Sequence, residues 1–200
     1  GDVYKRQDRY YALGATYANG PVNLYFAVDS VNYASYFDKN VNAVPNVDDS
    51  LTVAFGGSYD FSVVKVFAGA QYFDEVLVGK VSGLSNVGLD LLKNKMEGYA
   101  LQAGVSAPVA GGTAMFAVGY TDAEQVKTPE GSTDKAEFKR LGASVGYTYS
   151  LSKRTNVYGV AAYYRDSVDN AYNADNKAND SADDRDPSTV TVYAGIRHTF

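Results

Sequence analysis

The 200 residues include no cysteine, no tryptophan and a single histidine, His198. Zero cysteine is compatible with an oxidising compartment, where stray thiols would pair. A histidine-based catalytic triad would have to be built on His198, which falls on the apolar parity of a strand and is read as structural. No stretch approaches the eighteen consecutive apolar residues of a transmembrane helix. That excludes a helical span but not a spanning strand, which meets lipid with only every second side chain. There is also no basic stripe, and the net charge is -5, so a nucleic-acid partner is excluded. Residues 1–7 have neither the apolar core of a signal peptide nor a strand pattern. They are set apart as a leader of non-native or unassigned origin, leaving residues 8–200 as one domain.

What the chain does have is aromatic and small residues in alternation, with 18 Tyr, 9 Phe and 19 Gly. The last eleven residues show the pattern most cleanly. Val190, Val192, Ala194, Ile196, His198 and Phe200 share one parity, opposed by Thr191, Tyr193, Gly195, Arg197 and Thr199. Period two over this length is a β-strand between two different environments. Roughly ten residues is also what a tilted strand needs to cross a bilayer.

Eight more such segments precede it, at about Arg9 to Ala18, Val22 to Tyr33, Leu51 to Tyr59, Val63 to Phe73, Glu97 to Ala107, Thr113 to Asp122, Phe138 to Ser150 and Thr155 to Arg165. Seven of the eight keep a clear apolar parity. The eighth is ambiguous; Gly159 and Arg165 on its odd positions favour Tyr158, Val160, Ala162 and Tyr164 as its lipid side. Connections alternate strictly between tight turns such as Asn19-Gly20-Pro21 and long polar segments such as the Asp-rich stretch from Asp166 to Ser188. A helical turn or two is expected within Leu84 to Lys93. Soluble sandwiches space their strands more evenly, whereas short turns at one end and long loops at the other mark an outer-membrane barrel. The predicted fold is all-β, an antiparallel transmembrane β-barrel with about nine strands present. Tyr147, Tyr149 and Tyr158 would form its aromatic girdle at the short-turn side, Tyr33 and Tyr120 the one near the long loops.

Two stretches carry a family resemblance. Tyr147-Thr-Tyr-Ser-Leu-Ser-Lys-Arg-Thr-Asn-Val-Tyr158 resembles the penultimate periplasmic hairpin of the Gram-negative general porins, and Val192-Tyr-Ala-Gly-Ile-Arg-His-Thr-Phe200 resembles their terminal strand. The resemblance implies a sixteen-stranded homotrimeric barrel passing small hydrophilic solutes and ions. This chain would supply its carboxyl-terminal portion, without the amino-terminal strands and the inward loop that sets the constriction. It further implies contact with outer-membrane lipid and lipopolysaccharide, and an assembly signal of Phe200, His198 and Ile196 read by the outer-membrane assembly machinery. No covalent chemistry, cofactor or metal is expected of such a wall. The alternative is a non-conducting barrel or adhesin acting through its external loops.

On the polar parity, Lys65, Arg140, Arg197, Asp29, Gln71 and Gln102 are the candidate pore-lining residues, with Lys65 and Arg140 the leading wall charges. The carboxylates from Asp175 to Asp186 lack the spacing of a calcium loop and are read as a solvated loop.

Overall fold

The computed structural model describes residues 9–32, 48–77, 95–126, 135–169 and 186–199. They form nine strands: β1 (Arg9–Asn19), β2 (Val22–Asn32), β3 (Ser50–Asp60), β4 (Lys65–Leu77), β5 (Lys95–Val109), β6 (Gly112–Gln125), β7 (Glu137–Ser150), β8 (Thr155–Asp169) and β9 (Ser188–His198). All pair antiparallel with their sequence neighbours in one sheet ordered β1 to β9. Each expected strand is present. Several run past the residues their alternation marks, as β5 and β6 do at Lys95 and Gln125 and β8 does at Asp169. The reason is physical: the apolar period ends where lipid ends, while the hydrogen-bond ladder continues into water. Among the described residues β1 and β9 each have one strand neighbour, so the sheet is open. The expected helical turn at 84–93, Tyr33, Phe200 and residues 1–7 lie outside the described residues.

Register decides which side chains share a face. Leu24 of β2 stands opposite Tyr17 and Gly57, Ala68 opposite Gly57 and Ala103, and Val118 opposite Ala103 and Ala143. The row continues to Tyr163 and Val190. This apolar face is exposed: Leu141 is 59% and Val192 is 72% accessible, whereas Asp166, on the other face, is 4% accessible. A water-soluble sheet hides its apolar side, so the inversion identifies lipid as the solvent of this one.

The register also corrects the reading of β8. Tyr163 pairs with Ala143 and Val190, Ala161 with Val145 and Val192, and Val157 with Tyr149 and Ile196. The odd positions therefore lie on the apolar face, and Tyr158, Val160, Ala162 and Tyr164 lie on the opposite one. In the sequence Gly159 and Arg165 look foreign to lipid, but both have a place on that face. Gly159 sits between Tyr147 and Ala194 on the apolar face, and Arg165 is near the long-loop end, ion-paired to Asp186 at 2.8 Å. Tyr158 accordingly leaves the girdle; its ring lies only 2.6 Å from where a Cβ on Gly195 would be.

The remaining aromatics form two bands across the apolar face. Tyr72, Tyr99, Tyr120 and Tyr163 step diagonally through the register on the long-loop side, with Tyr99 and Tyr120 rings 6.3 Å apart. Tyr17, Tyr59, Tyr147 and Tyr149 form the band at the short turns. Between them this face carries no Asp, Glu, Lys or Arg among the described residues, as a hydrocarbon-facing belt requires.

The turns close with local chemistry. Gly20 and Gly111 supply the positive φ values, 55° and 79°, that tight hairpins need. Tyr147 donates its hydroxyl hydrogen to the carbonyl oxygens of Val109 and Ala110, at 2.8 and 3.2 Å, clamping the β5–β6 turn from the neighbouring strand.

Candidate functional site

The face opposite the lipid belt mixes small and polar residues with larger ones such as Tyr25, Phe67, Met115 and Tyr164. One register row crosses seven strands as Tyr25, Gly56, Gly69, Gln102, Gly119, Gly142 and Tyr164. The glycines make room for their neighbours. A Cβ on Gly56 or Gly69 would stand 2.7 Å from the Tyr25 hydroxyl oxygen, and one on Gly142 would stand 2.9 Å from the Tyr164 ring. Both rings therefore lie down along the wall instead of projecting from it. The sheet curls around this face, and residues from Thr16 of β1 to Tyr164 of β8 line one continuous cavity of about 1060 Å³.

All six sequence-predicted wall residues fall on this parity. Asp29 pairs with Ala12 and Thr52, Lys65 with Asp60 and Ser106, Gln71 with Ala54 and Ala100, and Gln102 with Gly69 and Gly119. Arg140 stands opposite Thr121 and Asp166, and Arg197 opposite Asn156. Three of them, Gln71, Gln102 and Arg140, line the cavity. Lys65 and Arg197 lie on the same face nearer the short turns, and Asp29 lies toward the long-loop end.

Arg140 differs from a bare wall charge in one respect that its sequence position does not reveal. Its Nε and Nη2 donate to the two carboxylate oxygens of Asp166 at 2.6 and 2.7 Å. The fork-to-fork geometry is the strongest form of this pair. Its guanidinium lies 5.4 Å from both the Phe138 and the Tyr164 ring centroids. Asp166, read from sequence as the start of a loop, is thus a wall residue. With the even positions of β8 assigned to lipid, its spacing from Tyr164 gives no cue to the wall; the corrected parity does. Lys65 lies 5.4 Å from the Phe67 ring centroid.

The long-loop rim holds a separate set of ion pairs. Lys135 bridges Glu97 and Glu124 at 3.1 and 2.7 Å, and Lys139 binds Glu137 at 2.9 Å. Hydrogen bonds to Glu124 and then Glu97 raise the Lys135 ammonium above its ordinary pKa. Arg165 holds the Asp186 carboxyl below the usual carboxylate range. Asp186 is the described member of the acidic 175–186 stretch, and it takes part in this ion pair. Beside the β4 bulge between Phe73 and Val76, Lys95 pairs with Glu75 at 3.0 Å and donates to the Asp48 carbonyl.

Of the expected assembly residues, Ile196 and His198 lie on the apolar parity of β9, with His198 Nδ1 2.9 Å from the Thr155 hydroxyl oxygen. Phe200 lies outside the described residues.

An outer membrane porin protein of Bordetella pertussis is 29% identical over 199 residues, which cover 94% of this chain and 45% of that protein. This chain therefore spans about half the length of the curated relative it matches. Residues 1–170 match the family described as Gram-negative porin. With its spanning strands, its lipid-facing belt and that match, the chain belongs to the Gram-negative porin family of the outer membrane.

Proposed function

We propose that these nine strands are part of the wall of a water-filled channel through which small hydrophilic solutes and ions diffuse passively. The observation that carries this reading is the two-faced sheet: an uncharged apolar belt is exposed, while the other face, which carries Gln71, Gln102 and Arg140 among glycines and rings, lines a cavity of about 1060 Å³. Lys65, Arg140, Arg197, Asp29, Gln71 and Gln102 are the proposed wall groups: Lys65 and Arg197 meet solutes as charges, the glutamines as hydrogen-bonding groups and Arg140 as one half of its ion pair with Asp166, with no covalent step.

Backbone edges cannot stay unpaired in hydrocarbon. The free edges of β1 and β9 are therefore proposed to pair with further strands of a longer polypeptide, in keeping with the 45% coverage of the Bordetella protein. The homotrimer is proposed on family grounds, as are the lipopolysaccharide contacts and the assembly-machinery contact at Phe200, His198 and Ile196. Planar-bilayer recording on the full-length protein tests the channel: stepwise conductance is expected. A correctly folded, heat-modifiable protein that never opens a conductance step would defeat this reading in favour of a non-conducting barrel.

A further inference from the structure

The two ends of this wall carry opposite charge. Near the short turns, the described residues include four cations, Lys65, Lys153, Arg154 and Arg197, against one carboxylate, Asp60. The chain as a whole has a net charge of -5, so the excess of carboxylates lies elsewhere. Lys65 and Arg197 are on the cavity-side face, Lys65 opposite Asp60 and Arg197 opposite Asn156. Lys153 and Arg154 are in the exposed β7–β8 turn, which is held beside β9 by the Thr199 amide donating to the Arg154 carbonyl at 2.9 Å. None of the four has an ion-pair partner among the described residues, and the Asp60 carboxylate accepts from the Ser62 amide at 2.8 Å. By contrast Arg140, the cation that lines the cavity, is matched one-for-one by Asp166.

We infer that the short-turn mouth is an anion-attracting vestibule in which Arg197 and Lys65 set ion preference, and that Arg140, neutralised by Asp166, is electrically silent there. The ligand class is small anions such as chloride, phosphate and carboxylates. Uncompensated charges at a narrow mouth raise the local concentration of counter-ions, most strongly at low ionic strength. A bidentate pair presents a dipole whose field falls off much faster than that of a lone charge. The inference rests on the channel reading.

Reversal potentials of the full-length porin under a potassium chloride gradient test it. Arg197→Glu and Lys65→Glu are each expected to lower the anion-to-cation permeability ratio by roughly four-fold, since each reversal changes the charge by two units, which act oppositely on anion and cation some 8 Å away in salt-screened water. The shift should be larger when the dilute solution bathes the short-turn side. The double variant Arg140→Gln with Asp166→Asn is expected to leave the ratio unchanged, whereas Asp166→Asn alone should raise it by exposing the guanidinium. Arg197→Gln, milder at this exposed position, should give a smaller shift than Arg197→Glu and serves if the reversed charge hinders folding. Channels that conduct normally with reversal potentials indifferent to Arg197 and Lys65 would overturn the inference and leave the channel reading standing. So would a double pair variant that shifts the ratio as far as Arg197→Glu. A folded wild-type protein with no conductance removes both.

Discussion

The two rims of the sheet are held by different physics. At the long-loop end the strands emerge from the lipid belt and are tied by charge. Lys135 joins Glu97 and Glu124, Lys139 joins Glu137, Arg165 joins Asp186, and the Arg140–Asp166 fork lies just inside. At the short-turn end no Lys or Arg is paired with a carboxylate among the described residues. That rim is held by tight turns with positive-φ glycines, by the Tyr147 hydroxyl and by the Thr155–His198 contact. Long connections leave several tall strands in water, where cross-strand ion pairs can form. Short connections bring the backbone round within a few residues, so the turn geometry itself does the fastening.

The largest test of this contrast is at Arg140. Replacing it with Ala leaves the Asp166 carboxylate, whose side chain is 5% accessible, without its partner, and should cost about 3–5 kcal/mol. The urea midpoint for refolding into detergent or lipid reads this directly. Replacing both partners with apolar residues should cost much less, because no charge is then stranded. An equal loss in the double variant would show that the pair is not the fastening element.

Next in size is charge placed between the rims. Ala161→Arg puts a guanidinium in the uncharged belt and should destabilise insertion by about 2–4 kcal/mol. Tyr158→Arg, on the cavity side and already 37% accessible, should change insertion little. This pair of variants also tests the corrected parity of β8: the opposite ranking would restore the even positions to lipid.

A smaller effect is expected at the short turns. Tyr147→Phe removes the hydroxyl that serves Val109 and Ala110 and should cost about 0.5–1.5 kcal/mol, with the loss localised to the β5–β6 hairpin in hydrogen exchange. If exchange instead rises at the long-loop rim, the two ends are not separately fastened.

The smallest effect is a pH dependence at the long-loop rim. Asp186 has a folded pKa below its ordinary value because Arg165 stabilises the carboxylate. Its contribution is therefore present above the ordinary carboxylate range and is lost as pH falls through the lowered pKa. The amide of Asp166 donates to the Pro187 carbonyl at 2.9 Å, beside this pair, so its exchange protection should drop in that acid window. Arg165→Gln should weaken protection at neutral pH and flatten the pH response.

Most of the architecture is legible in the sequence. Alternation located all nine strands, and the alternating loop lengths identified the barrel, because a lipid face on one side imposes period two and a bilayer imposes strand length. The same logic placed Lys65, Arg140, Arg197, Asp29, Gln71 and Gln102 on one face. It failed at β8, where both parities mix small, aromatic and charged residues and no local pattern can break the tie. Only pairing with β7 and β9 settles it, because register forces Ala161 beside Val145 and Val192. It also missed Asp166. A charge partner 26 residues away is invisible to a period-two scan, and strands extend into water where alternation no longer reports them.

The sequence by itself thus determined the fold class, the strand count, the polarity of short and long connections and seven of the eight apolar parities assigned before the closing strand. These follow from local side-chain alternation against two solvents. Tertiary structure alone decided which charges stay uncompensated. Arg140 and Arg197 look alike as residues on a polar parity, but register sets a carboxylate beside Arg140 and an asparagine beside Arg197. The electrostatic character of a wall depends on neighbours across strands, and those are fixed only when the sheet forms.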